Sequence, residues 1–425
     1  MSNNFNKTIR LPQAIALYIG AVLGSGILII PGLAAEMAGP ASMLAWGAMM
    51  ILVLPLALCM AFLSQKYPNA GGVSHFVTKA FGNRAGAIIG WFFLMSVPIG
   101  APIAALTGAS YLSSAFGLGI NATIIIAAFM LIIAITINLI GMNIAGGVQV
   151  AVVISIIVIL VVSIFGAFPS INAYNFTPFM PNGVVSTFKA STILFWCFIG
   201  WEAVSHLSEE FVNPEKDVIK ATIISAVIVG LLYFMTAFIT VGTNSYGAGS
   251  KAALVSIIER ILGPSGAIMV GIVSLLICTA TVIAYVGAAS RLAFSLSQSG
   301  DAPKFFGLIS RKYNTPLGGL IFLALCFFAV LTLYFLKIVS LTILIQLPNA
   351  TFILTYLAGC AAGVVLLKDN KLEFIVSLIS LIATIIIFIF AGWAITYPLA
   401  ISVSVIVVKL VKRKRSLKVI VEKNR

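Results

Sequence analysis

Twelve apolar stretches, each near the roughly 20 residues that carry a helix across a bilayer core, take up most of the chain and leave short polar connections between them. They begin near Leu11, Ser42, Gly86, Ala122, Val148, Val184, Ile219, Gly266, Leu317, Leu341, Leu372 and Ala394, the last two separated only by a turn at Gly392 and Trp393. Such a chain cannot cover a water-facing surface: 8% of its residues are charged and 61% apolar, against about a quarter charged in soluble proteins. Lipid offers no partner to an unpaired backbone group, and a helix pairs its own. The expected fold is therefore an all-α polytopic membrane protein.

The net charge of +14 follows topology and forms no folded basic patch. With alternate loops placed on alternate sides, all 25 Lys and Arg except Lys189, Lys251, Arg260 and Lys337 fall on one side. The positive-inside rule makes both termini cytoplasmic. The tail Lys412-Arg413-Lys414-Arg415 reads as a topogenic stop, with anionic lipid as a second partner. No loop is large enough for a polar nucleic-acid-binding domain, and the first apolar run reads as a full span with no cleavage site behind it. Cys59, Cys197, Cys278, Cys326 and Cys360 show no CxxC spacing, so neither a disulfide framework nor a metal site is expected. Four read as packing residues, and Cys197 stands beside a candidate site.

Five spans precede the connection from Phe168 to Ser186 and five follow it before Lys368. Because five is odd, the second set enters the membrane in the opposite sense. Residues 1–168 are thus expected to carry the N-terminal tail and helices 1 to 5, and residues 169–367 helices 6 to 10 as an inverted 5+5 repeat. Residues 368–425 add helices 11 and 12 and the basic tail.

Helices 1 and 6 hold equivalent places in the two halves, and both are interrupted. The first carries Gly24-Ser25-Gly26-Ile27, the second Phe198-Ile199-Gly200-Trp201-Glu202. Gapped helices at matching places in two halves point to a transporter's binding site. A helix ending inside the membrane leaves N–H and C=O groups that only a ligand, water or protein can satisfy. The N–H groups of Ser25, Gly26 and Ile27 suit a carboxylate, and the carbonyls around Phe198 to Trp201 suit an ammonium group. Together they would clamp a zwitterion. A close-packed crossing of small residues is the other reading of the glycine segment.

Glu202 is read as the only acid inside a span away from its ends, with no Lys or Arg in the spans as its partner. Buried acids mark ion or proton paths, and two readings stand: a proton carrier, or a permanently protonated or hydrogen-bonded group that shapes the unwound segment. Among the rings that crowd the second interruption, Phe195, Trp196, Phe198 and Trp201, Trp196 is the candidate gate. Met95, Pro98 and Pro102 are expected to line the pocket from helix 3. His75 and His206 are expected in solvated or packing roles. There is no Walker A loop, Ser/His/Asp setting or paired metal site, so the chain is not expected to be an enzyme or to hold a cofactor. Uphill transport would then run on an ion or substrate gradient.

The glycine segment, YPNAGGVSHFVTKAFG from Tyr67 to Gly82, FWCFIGWEA from Phe195 to Ala203, EEFVNPEKD from Glu209 to Asp217 and SRLAFSLSQSG from Ser290 to Gly300 resemble the signatures of the amino acid-polyamine-organocation permeases. The resemblance spans helices 1 to 10 in order. It implies the five-plus-five inverted-repeat transporter fold, a small-molecule amino-acid substrate, and a place in a bacterial plasma membrane. Within the superfamily these segments are similar to exporters of L-methionine and branched-chain amino acids. By the resemblance, Ser25, Gly26 and Ile27 would hold the carboxylate and Phe198, Ile199 and Gly200 the amino group, with Trp196 screening the site and Glu202 linked to protonation. Helix 5 has no Lys, so relatives that couple protons through a lysine there are a poor guide. Thr279 and Thr281 on helix 8 keep sodium open beside the proton as coupling ion.

With no basic residue and one acid counted in the spans, a neutral apolar side chain is the expected cargo. A neutral amino-acid uptake permease of the same fold is the alternative, and a channel or a receptor a more remote one. Oligomeric state is not legible in the sequence.

Overall fold

The computed structural model describes residues 7–24, 26–246, 265–339, 341–389 and 392–407. Regular secondary structure among the described residues is helical, apart from one isolated bridge between Ile9 and Phe211. In chain order the helices are α1 (Leu11–Val22), α2 (Gly26–Ala38), α3 (Ser42–Lys66), α4 (Val73–Phe81), α5 (Asn83–Ala115), α6 (Ile120–Ile140), α7 (Met142–Ala167), α8 (Gly183–Leu194), α9 (Trp201–Ser205) and α10 (Pro214–Gly242). After them come α11 (Ser265–Gln298), α12 (Leu317–Phe335), α13 (Leu341–Leu366), α14 (Lys371–Ile389) and α15 (Thr396–Val407).

Among the described residues nine helices are long and apolar enough to cross a membrane, where the sequence suggested twelve runs. The difference has a local cause. The run from Leu11 is divided between α1 and α2. The run from Val184 is divided between α8, a 3-10 turn over Phe195–Phe198 and the five-residue α9. The last run contributes the short α15. The topogenic residues Lys251 and Arg260 and the basic tail lie outside the described residues.

Close packing helps hold these helices together. A Cβ on Gly108 would approach Cys278 Cβ to 2.9 Å, and one on Gly271 would approach Leu112 Cα to 2.9 Å, so α5 and α11 meet at backbone distance. Small residues permit such approach where lipid gives no hydrophobic drive. Among the nine span-length helices α5 is the most enclosed, with 72% of its most apolar window buried, and α14 the least, with 22%. That places α5 at the centre and α14 at the lipid edge, where Ile379, Ile382, Ile386 and Ile389 are exposed.

The count of ionisable groups changes. α11 runs for 34 residues, longer than a bilayer requires, and its later turns carry Arg291 into the protein interior at 1% exposure. There its guanidinium donates from Nε to Glu210 Oε1 and from Nη1 to the Gly287 carbonyl. A buried cation is therefore present, and Glu210 satisfies it. The sequence reading missed it because apolar periodicity does not mark where a long helix leaves the lipid.

Candidate functional site

α1 ends at Val22 and α2 begins at Gly26. Leu23 and Gly24 lie between them, and Ser25 lies outside the described residues. The last carbonyls of α1 are exposed by this ending, and hydroxyls from other helices reach them. Tyr233 of α10 donates to Val22 O (3.1 Å), and Thr281 of α11 donates to Gly20 O (2.9 Å) and Leu23 O (3.4 Å). Gln149 of α7 donates to Ala280 O at 3.1 Å and packs on Gly20. One end of the interruption is thus satisfied by protein. At the other end, the first turn of α2, Ile27 N–H donates to the Gly24 carbonyl at 3.4 Å, and the neighbouring N–H groups have no intrahelical acceptor.

At the second interruption the backbone is extended at Ile199 (φ −76°, ψ 139°), and Gly200 takes φ 138°. A side chain at Gly200 would be strained and would press on the Ala21 backbone at 2.9 Å. Here the freed N–H groups already have acceptors. Gly200 N–H donates to Glu202 Oε2 (2.9 Å), and the Tyr356 hydroxyl accepts from Gly200 (3.2 Å), Trp201 (3.0 Å) and Glu202 (3.4 Å). The Gly200 carbonyl accepts from Ala203 N–H at 3.1 Å. Among the described residues no backbone donor outside the helices reaches the Phe198 or Ile199 carbonyl.

Glu202 is fully buried. Its carboxyl takes Gly200 N–H on one oxygen and the Tyr285 hydroxyl on the other at 3.2 Å, and it is also hydrogen-bonded to Tyr356. Neutral donors from three elements therefore surround it. Outside the spans, burial lowers the His75 imidazole below its ordinary range, helped by nearby Lys79. Burial also raises the Glu209 carboxyl, with Glu210 adding repulsion. His206 has no solvated role: it is 1% exposed, packs on Phe93 with ring centroids 4.4 Å apart, and places Nδ1 3.3 Å from Ala70 O.

A cavity of about 620 Å³ of non-atom space, mouth included, opens between the two interruptions. Gly24, Gly26 and Ile199 line it, with Tyr233, Thr281 and Tyr285 supplying hydroxyls and Phe352 an apolar wall. Ile27 and Phe198 are buried just behind. Phe198 packs against Tyr233 and Trp46 at 5.3 and 6.1 Å. Trp201 turns away from the cavity onto Tyr18, 5.7 Å between centroids. The Cys197 thiol lies against Gly26, and the Trp196 side chain lies outside the described residues.

Helix α5 presents a different face from the expected one. Val97, Gly100, Ala101 and Ala104 line the cavity, a set spaced by three and four residues. Met95, Pro98 and Pro102 lie on another face of the helix, where the Met95 carbonyl accepts from Tyr397 at 3.0 Å. Sequence reasoning also missed Tyr233, Tyr285, Phe352 and Tyr356. A tyrosine deep within an apolar run, away from the interfacial belts, must find a partner for its hydroxyl. That signal was present at all three tyrosines.

A multi-pass helical protein with a cavity open between the α1–α2 break and the segment before α9 is of the membrane-transporter class. The chain belongs to the amino acid permease family, which matches residues 9–410. It is 38% identical over 399 residues to the uncharacterized amino acid permease YecA of Bacillus subtilis, covering 94% of each chain. It is 31% identical over 402 residues to the L-methionine/branched-chain amino acid exporter YjeH of Escherichia coli, covering 93% of this chain and 94% of that one. Its fold is similar to that of MhsT in complex with L-phenylalanine, with a TM-score of 0.66, 14% identity, and coverage of 92% of this chain and 99% of that chain. The two sequence relatives are by name an amino acid permease and an amino acid exporter, not enzymes.

Proposed function

We propose that the chain is a secondary active transporter that exports neutral apolar amino acids, L-methionine, leucine, isoleucine and valine, by alternating access and in exchange for protons. The observation that carries this reading is the cavity between Gly24, Gly26 and Ile199, with backbone polarity, the hydroxyls of Tyr233, Thr281 and Tyr285, and otherwise apolar walls. The N–H groups of Ser25, Gly26 and Ile27 take the substrate carboxylate, and the carbonyls of Phe198 and Ile199 take the ammonium group. Gly200 and Trp201 hold that strand in place, and Trp196 closes over the substrate. The name of the exporter to which the chain is 31% identical supports the choice of side chains and direction.

In this reading residues 1–168 and 169–367 are inverted repeats of five helices, and residues 368–425 complete twelve spans. The termini face the cytoplasm of a bacterial inner membrane. Glu202 carries the proton. The Tyr285 hydroxyl belongs to the cavity wall and also donates to Glu202, so substrate arrival and carboxyl protonation act on one group, as coupling requires. A second reading assigns sodium to the carbonyls that Thr281 reaches at Gly20 and Leu23, since a hard cation takes oxygen ligands.

The test is release of L-methionine from preloaded liposomes, with and without an imposed proton gradient. Saturable release that leucine competes and the gradient accelerates is the expected result. Glu202→Gln is expected to abolish the response to the gradient while exchange without it persists; undiminished pH dependence in that variant removes the proton-carrier role. A response to sodium alone moves the coupling to the Thr281 site. No saturable flux of the four amino acids withdraws the substrate.

A further inference from the structure

Three glycines line the cavity, and the structure holds them for different reasons. At Gly26 an added Cβ would come within 2.7 Å of Cys197 Sγ and 3.4 Å of Cys197 Cα, so packing requires the glycine. At Gly24 it would stand 3.5 Å from Thr281 Oγ1, in ordinary contact. At Gly100 it would meet nothing within 4 Å.

Gly100 lies well inside α5, far from both ends, and is absent from the glycines with positive φ. Neither its backbone conformation nor a close neighbour calls for glycine. Mid-helix glycine is less favourable than alanine because it loses more chain entropy on folding. The feature that offsets this cost is room on the cavity side, where Val97, Ala101 and Ala104 share its face and Val282 and Phe352 stand with them in the lining. The one polar side chain beside that wall, Tyr285, packs its ring on Phe352 at 5.6 Å and gives its hydroxyl to Glu202, while the backbone polarity of the site is at Gly24, Gly26 and Ile199.

We propose that Gly100 is the specificity-determining residue of the cavity, leaving the space that the distal part of a leucine- or methionine-length side chain fills. The proposal rests on the amino-acid transporter reading above and deepens it. A side chain grown at residue 100 takes that space first from long substrates. L-Alanine, which ends at Cβ, loses least.

The experiment measures kcat and KM for L-alanine, L-valine, L-leucine and L-methionine in liposomes containing wild type, Gly100→Ala or Gly100→Leu, with thermal midpoints of each in detergent. Gly100→Ala is expected to keep or raise the thermal midpoint and to lower the methionine-to-alanine ratio of kcat/KM. Gly100→Leu is expected to lower that ratio about tenfold or more, mainly through KM, as overfilled hydrophobic pockets do. Should the leucine variant not reach the membrane, Gly100→Ala decides alone. A lowered midpoint for Gly100→Ala, or an equal loss of kcat for all four substrates, makes the glycine a packing or motional requirement and overturns the proposal. Unchanged ratios in both variants overturn it as well. Wild type without saturable flux of any of the four withdraws the neutral-substrate reading on which the proposal rests, which altered selectivity alone does not.

Discussion

At Gly26 the nearest obstacle to a larger residue is a side chain, and at Gly200 it is backbone. A methyl at Gly26 meets Cys197 Sγ at 2.7 Å, whereas one at Gly200 meets the Ala21 carbonyl carbon and oxygen at 2.9 Å, at φ 138°. Gly26→Ala is expected to cost about 1–3 kcal/mol through overpacking, and Cys197→Ala added to it is expected to recover part of the thermal midpoint and of methionine counterflow. Gly200→Ala adds backbone strain of about 1–3 kcal/mol, and no trimming of a neighbour relieves that. Equal rescue of both variants by Cys197→Ala removes the distinction. The glycines themselves were legible as sites of interruption, because a gap in an apolar run is a local pattern. The reason for each was not, because it lies in a neighbour about 175 residues away along the chain at both positions.

The same limit holds for whole elements. Apolar runs revealed most of the helices, since lipid makes run length and polarity almost sufficient to name a helix. The divided runs were visible too, through glycine and the Glu202 break. What periodicity did not give was the rotation of α5, whose cavity face is Val97, Gly100, Ala101 and Ala104, or the reach of α11 beyond the span. That reach buries Arg291 against Glu210, both within 5% exposure. Breaking a buried pair from one side leaves the other charge uncompensated, at a cost of about 3–5 kcal/mol. Arg291→Met is therefore expected to lower the thermal midpoint strongly, and Arg291→Met with Glu210→Met to regain most of it. A double-mutant cycle that shows additive losses would mean the two groups are not coupled.

Across the whole molecule, that ion pair is one stitch in a seam along the side where residues 8–9, 65–71 and 206–215 meet. Thr8 and Ile9 N–H both donate to Glu210 O at 2.9 Å, and Val212 N–H donates to Ile9 O at 2.9 Å. Asn69 N–H reaches Ser208 Oγ at 2.9 Å, and Gln65 Nε2 reaches the Glu215 carbonyl at 2.5 Å. The first chain segment, the connection after α3 and the connection after α9 are thus tied to one another, and Glu210 ties them to α11. A carrier that exposes its cavity on this side must part these bonds together. Charge-assisted hydrogen bonds contribute about 1.5–3 kcal/mol each, and every 1.4 kcal/mol is about tenfold in an equilibrium. Removing Glu210 with Glu210→Ala should therefore raise the open fraction about tenfold or more. Gly100→Cys places a thiol in the cavity lining, at a half-buried position where nothing lies within 4 Å of its Cβ, against native cysteines that are buried apart from half-buried Cys326. In oriented vesicles, a water-soluble thiol reagent applied from the side of the seam is expected to label that cysteine about tenfold faster in the Glu210→Ala background, with labelling from the opposite side reduced. Unchanged labelling from both sides would mean that the seam does not control access to the cavity.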